Sequence, residues 1–300
     1  MKSREFKTTQ IVAHIFCGVA SLCAIMPFIL LAIASFTDNK WATEHGYSFF
    51  PQKLSLEAYK YIGAQWSILG RAYFMTIFLT FVGVVASVLI ITLYAYGISQ
   101  KDIPGMKVMS FILIFTMLFN GGLVATYYNY VKIFHIKNTF GALLVPNLLM
   151  NAFSVILVRN YIISSIPASI KEAATIDGAS EFKIFSKIIM PLSLPIIATI
   201  GLMSGLAYWN DWQNGMYFLT ERDGSHLYTI QIILNNITEN IEALKQNASK
   251  SAEMGARVSD LPSTTIRMAI AVIGILPILV LYPFFQRYFV KGITLGGVKE

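Results

Sequence analysis

The sequence predicts an all-α membrane protein that crosses the bilayer six times. Composition is the first reason: 55% of the 300 residues are hydrophobic and only 13% are charged, where a soluble domain carries about 25% charge. Mean hydropathy is +0.60. The second reason is arrangement. Six apolar runs approach or exceed the length of about 20 residues that spans hydrocarbon, and polar segments separate them. Helix is the natural conformation, because a backbone in lipid must satisfy its own hydrogen bonds, and the alternating pattern of barrel strands is absent. Third, the charges fall between the runs, as expected when burying one in hydrocarbon costs about 3 kcal/mol. The net charge of +7 is therefore assigned to a membrane face, with lipid rather than nucleic acid as its partner.

The first run, Ile11–Phe36, follows Lys2, Arg4 and Lys7. It is about twice the length of a signal peptide's apolar core, and Leu22 before Cys23 makes a poor lipoprotein cleavage site, so it reads as an uncleaved helix. Cys17 and Cys23 inside it read as inert thiols, and His14 as interfacial. The following spans are read as Ala72–Ser99, Met106–Ala125, Phe140–Val158, Leu192–Leu219 and Ser263–Phe289. Gly201 with Gly205, and Gly121-Gly122, suit close helix packing. Pro277 and Pro283 are expected to kink the last span.

An even number of spans puts both termini on one side. With the N-terminus inside, Lys2, Arg4, Lys7, Lys101, Lys107, Arg159, Lys171, Lys183, Lys187, Arg287, Lys291 and Lys299 are cytoplasmic, twelve of the 23 Lys and Arg. That bias favours cytoplasmic termini and places the segment 164–191 in the cytoplasm. The chain reads as a single transmembrane domain, 1–300, with a long outer loop at 220–262 and a cytoplasmic tail at 290–300. A loop as long as 220–262 is uncommon without a task.

Within 164–191, Pro167 suits a first helical turn. Gly178 suits the left-handed residue that ends a helix, and Ser180 suits the cap of a second helix starting at Glu181. Pro191 marks a restart into the next apolar run. Two short helices joined at a glycine make a knob that offers Glu172 and Asp177 to an outside partner.

Catalytic chemistry is not encoded. No glycine is followed directly by lysine, so a phosphate-binding P-loop is missing. His14, His45, His135 and His226 are scattered, no cluster has metal-ligand spacing, and no G-x-S-x-G elbow is present. The chain reads as a non-enzyme that binds no cofactor or metal of its own.

The segment Glu172-Ala173-Ala174-Thr175-Ile176-Asp177-Gly178, nine further residues, and then Ile188-Ile189-Met190-Pro191 resembles the EAA loop of bacterial ABC importer permeases. Every spacing agrees, and Met190 replaces the usual Leu. Leu157-Val158-Arg159-Asn160-Tyr161, Ile166-Pro167, and the tail Gln286-Arg287-Tyr288-Phe289-Val290-Lys291-Gly292 with Gly296-Gly297-Val298-Lys299 are similar to carbohydrate permeases like the second permease of the maltose system. Phe119-Asn120-Gly121-Gly122-Leu123-Val124, Thr126-Tyr127 and Asn138-Thr139 are similar to a narrower branch handling oligosaccharides of the alginate and aldouronate type. Ala125 departs from that branch, which often has proline there.

The resemblance implies a type I importer permease fold in the bacterial inner membrane. Glu172, Ala173, Ala174, Asp177 and Gly178 would form the coupling helix that docks on an ATPase subunit. Gly296, Gly297 and Lys299 would either reach the ATPases or form a solvated tail. The partners implied are a second permease in a heterodimer, two ATP-binding subunits that hold ATP and Mg, and an extracytoplasmic solute-binding protein that meets the outer loop. The cargo implied is an oligosaccharide.

For cargo contact, Tyr208-Trp209-Asn210-Asp211-Trp212-Gln213-Asn214 stands out. On a continuous helix Trp209, Trp212 and Gln213 share one face, and Asn210 and Asn214 the adjacent one. Aromatic faces stack on sugar rings and amides satisfy hydroxyls, while an interfacial aromatic belt uses the same residues. Asp211 at that depth faces a cavity or pairs with a cation such as Arg71 or Arg267. Two rival readings stay open at this level: an ABC permease for amino acids, phosphate or metals, and an ion-coupled secondary carrier using Asp211.

Overall fold

The computed structural model describes residues 2–100, 103–237, 239 and 263–297. In chain order the helices are α1 (Lys2–Ser35), α2 (Asn39–His45), α3 (Glu57–Ala64), α4 (Trp66–Ser99), α5 (Met106–Leu118) and α6 (Gly122–Tyr128), the last running into a π turn at Asn129–Ile133. Then come α7 (Phe140–Leu144), α8 (Ala152–Ser165), α9 (Ala168–Ile176) and α10 (Glu181–Ile184), with a π turn at Phe185–Ile189. The chain continues as α11 (Met190–Leu192), α12 (Leu194–Asn210), α13 (Gln213–Phe218), α14 (Glu221–Gly224), α15 (230–237) and α16 (Ser263–Gly297). Among the described residues the sole extended pairing is an isolated bridge between Thr37 and Leu54.

Among the described residues two helices are long and apolar enough to cross a membrane: Thr8–Ser35 within α1 and Trp66–Ser99. Two bent pairs also qualify if each counts as one span, α8 with α9 (79°) and Glu181–Leu192 with α12 (80°). None of the apolar window of α1 is buried, and Ile15, Phe16 and Leu22 are all exposed. Such a continuous apolar surface is a liability in water and ordinary solvation in lipid.

The spans expected from the sequence are interrupted more often than hydropathy suggests. The third stops at Leu118: Phe119 is extended, Asn120 Oδ1 accepts the Gly122 N–H at 2.8 Å, and Gly122 takes φ +77°. The fourth is α7, an irregular stretch from Val145 to Asn151 around Pro146, and α8, with Asn147 at φ +62°. The fifth restarts at Leu194, not at Pro191, with Pro195 in the first turn where its missing N–H is tolerated. It then ends at Asn210. The second begins six residues earlier than expected, at Trp66, and the last continues through Pro277 and Pro283 to Gly297. Gly296 and Gly297 thus belong to α16 rather than to a separate tail. Lys299 and residues 240–262 of the outer loop lie outside the described residues.

The chain divides into two compact units, Met1–Leu69 with Leu234–Pro277, and Gly70–Ile233 with Ile278–Glu300. In the first, Asp38 caps α2 by accepting the Trp41 N–H at 3.0 Å, and Phe36 stacks on Tyr59 at 4.8 Å. Asn39 Oδ1 accepts the Thr264 N–H at 3.3 Å, giving an otherwise unpaired donor at the start of α16 a partner. The second unit holds the larger apolar core. Ile91, Ala95 and Tyr96 of α4, Leu113 of α5, Val155, Val158 and Ile162 of α8, Ile184, Phe185, Ile189 and Ile200 meet in one cluster. Gly201 and Gly205 face Val84 and Val88 at 3.5–3.9 Å from an added Cβ, so the expected close packing of α12 on α4 is present.

Candidate functional site

Two places in the second unit carry the residues singled out from the sequence. The first is a hairpin made by α9 and α10. Pro167 sits just before α9 with extended backbone, Gly178 takes φ +74°, and Ser180 Oγ accepts the Lys183 N–H at 3.4 Å. The left-handed glycine closes α9, with the Gly178 N–H bonded to Thr175 O and the Ala179 N–H to Ala174 O. Ala174 and Ala179 lean on the apolar cluster, which fixes the base of the hairpin. Glu172, Ala173, Asp177 and Gly178 are exposed.

The tip carries more apolar surface than its sequence motif suggests. Ile176 is 86% exposed and Phe182 73%. These side chains flank Gly178, one at the last residue of α9 and one in the first turn of α10, and an acidic residue accompanies each helix end (Asp177, Glu181). Two large apolar groups on a short polar hairpin suit insertion into a partner's cleft. Beside the hairpin lies a groove of about 830 Å³ lined by Tyr96, Gln100, Ile166, Lys171, Glu172 and Glu181, among others.

The second place is where the fourth and fifth spans break. Three carbonyls freed between α7 and α8 find side-chain partners: Tyr208 Oη donates to Leu144 O at 2.8 Å, Asn214 Nδ2 to Pro146 O at 3.0 Å, and Ser87 Oγ to Leu148 O at 3.3 Å. Irregular backbone at membrane depth survives only when its polar groups are satisfied in this way. Tyr208 is fully buried, and its ring lies so close to α4 that a Cβ on Gly83 would be 2.4 Å from it. Asn138 repeats the device, donating to Thr220 Oγ1 at 3.0 Å and accepting the Thr220 N–H at 2.7 Å.

This geometry corrects the expected sugar face. The helix ends at Asn210, so Trp209, Trp212 and Gln213 do not share an i, i+3, i+4 stripe. Asp211 instead caps α13, its Oδ1 accepting the Asn214 N–H at 3.3 Å, while Oδ2 is buried without a hydrogen-bond partner among the described residues. Arg71 is exposed and makes no ion pair with Asp211. Trp209 and Asn214 are 5% exposed, and Asn210 back-bonds to Leu206 O at 2.9 Å. Trp212 and Gln213 remain open.

A cavity of about 540 Å³ lies against the other side of the break, lined by Thr116, Met117, Tyr130, Asn147, Asn151 and Phe153, among others. Its lining combines a threonine hydroxyl, two asparagine amides and two aromatic residues with apolar Met117, Val145, Leu149, Met150 and Ala152, and holds no charged side chain among the described residues. The sequence reading missed these residues, as well as Phe182 and the exposure of Ile176, and it placed Tyr208 in the sugar-contact stretch rather than at the Leu144 carbonyl. The one local signal for the cavity is the pair of asparagines flanking Asn147-Leu148-Leu149-Met150-Asn151, a turn chemistry inside an apolar run.

Residues 105–295 match the family described as the binding-protein-dependent transport system inner membrane component. The chain belongs to this family of ABC importer permeases. The permease is 35% identical over 299 residues, all of both chains, to the polygalacturonan/rhamnogalacturonan transport system permease protein YtcP of Bacillus subtilis (strain 168). Over 95% of its length and 92% of the relative's, it is 31% identical to the protein LplC of the same organism. Among solved structures it resembles a chain of a bacterial ABC transporter involved in the import of the acidic polysaccharide alginate. That likeness has a TM-score of 0.78 and 30% identity, covering 95% of this chain and 98% of the other.

Membership places the permease in the inner membrane as a transport subunit rather than an enzyme, with the ATPase on separate subunits and a solute-binding protein as a further partner. The secondary-carrier reading is thereby excluded. The expected all-α importer permease fold is present, with its spans broken as described.

Proposed function

We propose that this permease is one half of a heterodimeric pore that imports oligosaccharides derived from uronic-acid-containing polysaccharides. The observation that carries the cargo is the agreement between independent relatives. One is named for polygalacturonan and rhamnogalacturonan transport, and the solved structure for alginate import; both names describe acidic polysaccharides. In the charge-free, mostly apolar cavity beside the break, Asn147, Asn151 and Thr116 suit sugar hydroxyls, and Tyr130 and Phe153 suit ring faces. Trp212, Gln213 and Asn210 extend the sugar path, while Trp209, Asp211 and Asn214 hold its wall.

Both termini face the cytoplasm, and the α9–α10 hairpin docks on an ATPase subunit. Ile176 and Phe182 enter its cleft while Glu172, Ala173, Ala174, Asp177 and Gly178 shape and orient the hairpin. Gly296, Gly297 and Lys299 add a second contact near the ATPase interface. ATP and Mg, bound by the two ATPase subunits, close them and draw the hairpins of the two permeases together. The membrane helices then tilt from inward-open to outward-open, a rigid-body transition between two states. The extracytoplasmic binding protein delivers sugar to the opposite face, where the 220–262 loop receives it.

Reconstitution of the full complex in proteoliposomes tests this reading. Uptake of labelled oligogalacturonate should require ATP and the binding protein, and excess unlabelled oligogalacturonate should suppress it. Uptake of phosphate or an amino acid in place of the sugar would overturn the cargo assignment. Retention of both ATPase subunits by a permease carrying Ile176→Asp and Phe182→Asp would overturn the docking assignment.

A further inference from the structure

The coupling hairpin is tied to the end of α4 by four polar side chains that the transport motif does not include. Tyr96, 8% exposed, donates its hydroxyl to Glu181 Oε2 at 2.5 Å. Lys171 Nζ lies 3.8 Å from Glu181 Oε1, 5.9 Å from the centre of the Tyr96 ring, and donates to Gln100 Oε1. Tyr96 also packs its ring on Phe185 at 5.2 Å. Lys171 belongs to α9 and Glu181 to α10, so the quartet joins both arms of the hairpin to one helix. It does so across the groove of about 830 Å³, where apolar packing does not fill the space.

The Lys171 and Glu181 side chains are 29% and 60% exposed. An ion pair so open to solvent adds little to folding stability. The Tyr96–carboxylate bond is short, directional and charge-assisted. Its contribution is therefore directional: it fixes where the hairpin stands relative to α4, while the apolar base under Ala174 and Ala179 keeps the hairpin folded.

We propose that Tyr96, Gln100, Lys171 and Glu181 form a strut that transmits displacement of the coupling hairpin to α4, with Glu181 as its centre. They are positioning residues, acting on the transport cycle through the hairpin without touching nucleotide or cargo. The proposal rests on the reading of the hairpin as the ATPase-docking element.

The test uses the complete transporter in nanodiscs, with Cys17→Ser and Cys23→Ser, and spin labels at Ser169→Cys and Leu93→Cys. Both label sites are exposed, one on the hairpin and one on α4. The distance between them is measured by pulsed electron resonance with and without ATP, Mg and vanadate. With the strut intact the distance stays the same in both states, because hairpin and helix move together. Tyr96→Phe and Glu181→Ala should let the distance change on nucleotide trapping while ATP hydrolysis continues. Glu181→Gln, whose amide oxygen still accepts the Tyr96 hydroxyl, should restore most of the parent behaviour. A nucleotide-dependent distance in the parent, or parent-like distances in Tyr96→Phe and Glu181→Ala, overturns the strut. Failure of the docking reading is seen separately, as retention of both ATPase subunits when Ile176 and Phe182 are replaced by Asp.

Discussion

The coupling hairpin and the broken spans around Asp211 both interrupt helices, yet they invert each other's chemistry. The hairpin turns large apolar side chains outward, Ile176 at 86% and Phe182 at 73% exposure. The broken spans turn polar side chains inward, with Tyr208 fully buried and Asn214 at 5%. In the hairpin the breaks are local, made by Gly178 at φ +74° and by Ser180 capping its own next turn. In the spans the breaks are held from a distance: Tyr208 reaches Leu144, Asn214 reaches Pro146, and Ser87 reaches Leu148. A helix end near a partner protein can rely on caps, whereas one at membrane depth must borrow partners from other helices.

The contrast can be broken most strongly at the hairpin tip. Replacing Ile176 and Phe182 together by Asp should weaken ATPase binding by about 2 kcal/mol or more, some 30-fold. Co-purification should lose the ATPase subunit that this permease holds, one of the two, while the thermal unfolding of the permease itself is unchanged. At the other region the same substitution logic reverses, so stability falls. Gly83→Ala pushes a Cβ into the Tyr208 ring and should cost about 2 kcal/mol, read as a lower unfolding temperature in detergent.

Asn214→Leu sharpens the comparison further, because it removes one donor and leaves the Pro146 carbonyl buried and unpaired. A loss of about 1.5 kcal/mol is expected, with no change in ATPase co-purification. Ser180→Ala has the smallest effect, about 1 kcal/mol from the lost cap. It should appear as faster hydrogen exchange confined to α10, and a global loss of stability would contradict the local origin of the hairpin.

Local structure was legible wherever the deciding interaction lies within a few residues. Gly178 and Ser180 were placed in the roles they hold, and the α12 glycines on the helix that packs closely against α4. Pro191 was misread as the restart point because the bend falls at Ser193, where Pro195 supplies the first turn. The Trp209–Asn214 stripe failed for a similar reason. Hydropathy sees one apolar run from Leu192 to Leu219, and the stop is revealed by the Asp211 cap on the Asn214 N–H together with the Asn214 amide that reaches Pro146 O on another segment.

The sequence by itself determined that this is an α-helical membrane permease with a glycine-hinged hairpin. Apolar length, charge placement, motif spacing and capping are all properties of neighbouring residues. Only the tertiary structure decided where the spans break, which asparagines support backbone and which line a cavity, and how Tyr96 meets Glu181. Those outcomes depend on freed carbonyls and a carboxylate finding donors 61 to 85 positions away along the chain, and no periodicity within a single segment records such a pairing.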